Sequence, residues 1–150
     1  MKNFTVCTAE SCTGGNIAHQ ITLVAGSSSY YVGSVVSYAN QVKINTLGVP
    51  AEYIENFGAV SLQTVEAMAS GVRRLMDTDY SIATSGIAGP GGGSAEKPVG
   101  TVWMAVADRE NVYSKLCNFS GTRAEVIAQA TEEAFKLFRE KFGFPLAHGE

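Results

Sequence analysis

Ser11 is the first residue along the chain with a chemical use. It follows the strand-like run from Phe4 to Ala9 and precedes a helix-like stretch that opens at Asn16. A helix start offers unpaired N–H groups and the positive end of the helix dipole. A serine there serves as a nucleophile beside a ready oxyanion hole, as a phosphate contact, or as a plain N-cap. Cys12 is intrinsically the stronger nucleophile but has no histidine base nearby. His19 lies two turns down the helix, and His148 belongs to a polar tail expected to be disordered. Cys12 therefore reads as buried filler. Without histidine, a serine nucleophile needs a lysine base. Lys43 follows the strand end Ser37-Tyr38-Ala39-Asn40-Gln41-Val42 and is the candidate, unless it is a solvated surface charge. To act as base it must lose its proton far below the usual value of about 10.4. Burial and neighbouring donors can do that. Tyr38, five positions earlier, is placed to orient the amine or to fill a half-buried strand position.

A second loop, Gly86-Ile87-Ala88-Gly89-Pro90-Gly91-Gly92-Gly93, also follows a strand. So much glycine lets backbone amides approach a ligand closely. No Gly-Lys-Ser/Thr closes it and it is not G-x-G-x-x-G, so it is an anion-binding loop or a surface loop, not a known nucleotide fingerprint. Neither histidine has a neighbour at metal-ligand spacing, and the cysteines at 7, 12 and 117 form no C-x-x-C pair. No metal, cofactor or disulfide is expected.

The elements that must position these groups follow from periodicity. Strands are expected over Phe4 to Ala9, Tyr30 to Tyr38, Tyr80 to Ser85, Gly100 to Ala107 and Val112 to Phe119, the last two forming an antiparallel hairpin. Helices are expected over Asn16 to Val24, Asn40 to Leu47, Pro50 to Phe57, from the N-cap Ser61 to Met76, and Thr122 to Phe142. The 150 residues suit one domain over 1–150, a layered α/β/α fold with a mixed sheet. The apolar fraction of 45% is that of an ordinary globular protein, and the net charge of -3 gives no footprint for nucleic acid. No apolar run reaches membrane-spanning length and the start lacks a signal peptide's apolar stretch, so a cytoplasmic protein is expected.

Together, Ala9-Glu10-Ser11-Cys12-Thr13-Gly14-Gly15, Gly26-Ser27-Ser28, the Val36 to Lys43 segment, Ser85 to Gly92, Lys97-Pro98-Val99-Gly100-Thr101-Val102-Trp103 and Phe119-Ser120-Gly121-Thr122-Arg123 resemble the CinA C-terminal domain family. The resemblance covers nearly the whole chain. It implies a nicotinamide-nucleotide amidase that converts nicotinamide mononucleotide and water to nicotinate mononucleotide and ammonia, with a Ser/Lys pair and no metal. Ser11, Lys43 and Tyr38 fall on the catalytic positions. Thr13, Gly14, Gly15, Ser28, Ser85, Gly86, Gly89 and Arg123 fall on positions expected to contact substrate, Arg123 and the serine-glycine loops at its phosphate. Ser28 stays open as a second serine able to share the proton path or to be the nucleophile. The alternatives are a non-catalytic nucleotide-binding or scaffold module of the competence type, and an amidase for another small nucleotide amide.

Two departures from the family pattern bear on assembly. The chain begins almost at the first strand where relatives commonly carry a helix, and the second domain of some members is absent. Phe4 and Val6 then leave a sheet face to be covered, and Phe135, Leu137, Phe138, Phe142 and Phe144 supply more apolar surface than one helix face needs. A homodimer or higher homo-oligomer is the expected cover, the rival being a terminal helix that folds back over the gap.

Overall fold

The computed structural model describes residues 3–148. Its strands are β1 (Val6–Glu10), β2 (Tyr31–Val36), β3 (Tyr80–Gly86), β4 (Thr101–Ala107) and β5 (Val112–Asn118). Its helices are α1 (Asn16–Thr22), α2 (Asn40–Asn45), α3 (Ala51–Phe57), α4 (Leu62–Met76) and α5 (Arg123–Phe142). They build a single five-stranded sheet in the order β2-β1-β3-β4-β5. β1 runs parallel to both β2 and β3, whereas β3–β4 and β4–β5 are antiparallel. The mixed α/β/α fold expected from the sequence is thus observed, the hairpin included.

Strand alternation sorts residues to two unlike faces. Val6, Ile82, Val102, Met104 and Val106 pack with Ile17 and Ile21 of α1 and with Val126, Ala134 and Phe138 of α5. The opposite face carries small residues, Cys7, Ala9, Ala83, Ala105 and Ala107, beneath Val65, Met68, Ala69 and Val72 of α4. Small side chains let α4 sit close to the sheet. Gly71 of α4 lets the helix press on the connection after α2 as well: a Cβ there would lie 2.0 Å from the Leu47 carbonyl oxygen. α4 starts where the sequence predicts, with Ser61 Oγ accepting from Thr64 N. α5 starts with a capping box in which Thr122 and Glu125 each accept the other's backbone N–H.

The first strand is not left bare. Gly143, with φ 79°, ends α5 in the left-handed conformation and turns the chain back. Phe144 then packs on Phe4 at 4.9 Å between ring centroids and on Tyr80 at 5.5 Å. Phe135, Leu137 and Phe138 are buried, and Phe142 and Phe144 pack partly buried against the same core. The surplus of apolar residues at the C-terminus closes its own sheet face, which corrects the ground on which an oligomer was expected. His148 is likewise ordered, its ring stacked on Phe135 at 4.1 Å. Among the described residues no helix is long and apolar enough to cross a membrane.

Candidate active site

The parallel strands β1 and β3 and the strand end after β2 all point their carboxyl ends to one edge of the sheet. Such edges are where open α/β sheets bind ligands. A cleft of about 270 Å³ opens there. Ser11, Cys12 and Lys43 reach it from one side and the run from Ser85 to Gly92 from another, with Tyr38 and Arg123 also in its lining.

Ser11 is fixed by the sheet. Its N–H donates to the Thr84 carbonyl at 3.1 Å, and the chain then turns through Gly14 and Gly15, whose φ of 60° and 100° suit glycine. Lys43 arrives from α2 and is the largest fully buried side chain among the described residues, only 1% exposed. Its Nζ bonds to Ser11 Oγ at 3.1 Å and donates to the Tyr38 carbonyl at 3.0 Å. Among the described residues no carboxylate lines the cleft. Burial lowers the Lys43 pKa, because a desolvated ammonium is disfavoured. The opposing influence is the charge of Cys12, but burial pushes that thiol up to about 12 and keeps it neutral near pH 7. Cys12 is therefore a buried thiol, as the sequence suggests, and not a ready thiolate.

Arg123 is the first residue of α5, held there by the Thr122–Glu125 box. Its Nη1 donates to the Gly89 carbonyl at 2.6 Å and its Nη2 to the Tyr38 hydroxyl at 3.0 Å. Tyr38 thus touches Lys43 through its backbone carbonyl and Arg123 through its ring, which differs from the expected side-chain contact with the amine. Ser85, buried, donates to the Ala59 carbonyl at 2.8 Å.

Of the sequence-predicted residues the fold brings Ser11, Lys43, Tyr38, Ser85, Gly86, Gly89 and Arg123 together. Thr13, Gly14, Gly15 and Ser28 do not line the cleft. Ser28 stands exposed in the 3-10 turn Ser27–Ser29 that precedes β2. Because β1 and β2 are parallel, that turn is at the opposite end of the sheet from Ser11. Thr13 turns inward, donating to Glu10 at 2.7 Å and bonding to Thr84 at 2.8 Å. The amides at the start of α1 are also taken: Ile17 N and Ala18 N each donate to the Glu10 carboxylate at 2.9 Å. The first glycine turn is thus filled by a carboxylate of the chain itself. Asn40, Ala59 and Val60 line the cleft without having been anticipated. Asn40 stands in the segment that carries Tyr38 and Lys43, so that segment was the available signal for it.

Comparison with known proteins decides the family. The model of the CinA C-terminal domain matches residues 1–142. The CinA-like protein of Endomicrobium trichonymphae is 50% identical over 91% of this chain. The competence damage-inducible protein A of Klebsiella pneumoniae subsp. pneumoniae MGH 78578 superposes with a TM-score of 0.90 at 38% identity, covering 93% of this chain and 87% of that one. The competence/damage inducible protein CihA of Agrobacterium tumefaciens has a TM-score of 0.88 at 42% identity, covering 90% and 83%. The chain belongs to the CinA C-terminal domain family. It spans about a third of the length of the curated relatives it matches, 32% for the Endomicrobium protein.

Within this CinA domain the second glycine loop is chemically open. Among the described residues, the amides of Ala88, Gly89, Gly91 and Gly92 donate to no acceptor of the chain, although all four residues line the cleft. The loop is tightly seated all the same: a Cβ at Gly89 would lie 2.4 Å from Val99 Cγ1. A buried amine on a serine, free amides opposite and a guanidinium at the margin can together run acyl transfer on an anionic amide. Among the described residues no three His, Cys, Asp or Glu side chains gather as a metal cluster.

Proposed function

We propose that the chain is a serine amidohydrolase that removes the amide of nicotinamide mononucleotide, giving nicotinate mononucleotide and ammonia. The observation that carries this reading is the buried Lys43 amine 3.1 Å from Ser11 Oγ on the cleft wall. Neutral Lys43 accepts the Ser11 proton while Oγ attacks the carboxamide carbon. The carbonyl oxygen takes up negative charge and is met by free amides of the second glycine loop. Lys43 passes the proton to the departing nitrogen, the C–N bond breaks, and ammonia leaves. Water then attacks the ester, again with Lys43 as base, and releases the acid and Ser11. Arg123, in a lining with no carboxylate among the described residues, favours a substrate with a phosphate.

A cytoplasmic location belongs to the same proposal. So does a homodimer or higher oligomer, now supported by Val32 and Val36, which stand 53% and 49% exposed on the edge strand β2. The test of the function is to incubate the pure protein with nicotinamide mononucleotide, nicotinamide riboside and free nicotinamide. Equimolar ammonia and nicotinate mononucleotide from the first, with little from the others, is the expected result. Nucleotide binding without ammonia release would favour the non-catalytic binding module instead.

A further inference from the structure

Glu10 and Lys43 are the two charged side chains buried among the described residues. Lys43 has a role above; Glu10 has none in the chemistry, yet it is fully buried one residue before Ser11. Its hydrogen bonds can be assigned a direction. Oε1 accepts from Ile17 N and from the Thr13 hydroxyl, and Oε2 from Ala18 N and the Thr8 hydroxyl, the last at 3.0 Å. Thr8 and Thr13 each have one proton and spend it on Glu10. Thr84 must then donate to Thr13, and Ser34 to Thr8. Tyr31 in turn donates to Ser34 at 2.6 Å. Two hydroxyl chains and two backbone amides converge on one carboxyl group, and every lone pair is met by a donor.

The same residue ties together both halves of the dyad. Its carbonyl accepts from Ser37 N at 2.9 Å, next to Tyr38, whose carbonyl holds Lys43. Its side chain closes the turn that carries Ser11 by gripping the amides beyond it. We propose that Glu10 is the positioning residue of the site: its carboxylate locks the Ser11 turn in the orientation that meets Lys43. This inference rests on the reading of Ser11 and Lys43 as a catalytic pair. Placement of reacting atoms to within an ångström carries large factors in rate, so the effect is on turnover, not on substrate affinity.

The test compares Glu10→Gln, Thr13→Val and Thr13→Ser with the wild-type chain. In Glu10→Gln an NH₂ group replaces one oxygen and faces a backbone N–H that cannot turn away. The expected result is a fall in kcat on the order of 100-fold with KM within about threefold. Thr13→Val is expected to lower kcat about tenfold, and Thr13→Ser to restore it to within about twofold, because the hydroxyl returns. Amide hydrogen exchange at Ile17 and Ala18 supplies a readout that needs no substrate, and it is expected to quicken at least about tenfold in Glu10→Gln. If the wild-type chain hydrolyses no amide, the amidase reading fails on its own, and the exchange still reports whether the carboxylate holds the turn. Unchanged exchange, a kcat within twofold of wild type, or loss of the fold in Glu10→Gln would each overturn the positioning role, the last by making Glu10 structural.

Discussion

The molecule has two glycine turns at the same edge of one sheet, and they have opposite uses. The first, Thr13-Gly14-Gly15, leads into α1, and the amides beyond it are occupied by Glu10. The second, Gly86 to Gly93, lines the cleft with residues whose amides, at Ala88, Gly89, Gly91 and Gly92, donate to no acceptor among the described residues. By residue type both are anion loops. What separates them is the Glu10 carboxylate at the end of β1, which supplies the first turn with its own anion. In the proposed mechanism the first turn therefore orients Ser11, and the second is left to receive charge from outside.

Substitutions can break this contrast, beginning with the pair that stands between the turns. Ser11→Ala and Lys43→Ala are each expected to lower kcat by roughly 10⁴-fold or more, and the double variant to be little worse, because the two act as one unit. Multiplied losses in the double variant, measured by ammonia release, would mean independent roles. A smaller effect separates the turns themselves. Gly91 lines the cleft and a Cβ there meets nothing within 4 Å, so Gly91→Ala adds one methyl group to the cleft. It is expected to raise KM about tenfold with thermal stability unchanged. Gly14 also has open space but sits at φ 60°. Gly14→Ala is expected to lose roughly 1 kcal/mol from the left-handed backbone, a fall of about 2–4 °C in Tm, with KM unchanged. The reverse pattern, with Gly14→Ala raising KM and Gly91→Ala only lowering Tm, would exchange the roles of the two turns.

Titration of Lys43 gives two linked expectations. In the proposed mechanism the neutral amine is the base, so kcat/KM should rise with pH and level off below the ordinary lysine value of 10.5. The folded pKa is lowered below the unfolded one, so between the two the unfolded chain binds a proton that the folded chain lacks, and stability rises with pH through that window. Below the folded pKa the full penalty of the buried ammonium is present. Lys43→Met should therefore abolish activity yet raise Tm near neutral pH. The gain shrinks as pH approaches 10.5. Thermal melts across pH check the sign. The smallest effect is expected of Cys12→Ala, which should keep most activity, since that thiol stays protonated.

Much of this was legible in the sequence because it was local. Apolar spacing located the strands and helices, Ser61 marked the start of α4, and residue type singled out Ser11, Lys43 and the second glycine loop. The rest depends on topology. Ser28 stays open as a second serine until the parallel pairing of β1 with β2 sends it to the far end of the sheet. Glu10, just past the expected strand, carries no local sign that its carboxylate would turn inward onto α1. Residue type marks Tyr38 as able to orient the amine but does not say that Lys43 takes its backbone carbonyl. The return of Phe144 onto Phe4 depends on the left-handed turn at Gly143, where helix periodicity has nothing more to say.

The central claim is that Ser11 becomes acylated, and hydroxylamine tests it most directly. Added to the wild-type chain turning over nicotinamide mononucleotide, it should divert the acyl group from water. Hydroxamate should then appear at the expense of nicotinate mononucleotide, while ammonia release from the substrate amide, followed by its nitrogen isotope, keeps its rate. Ser11→Ala should yield neither product. Nicotinate mononucleotide as the sole product at every hydroxylamine concentration, or turnover that survives in Ser11→Ala, would contradict the account.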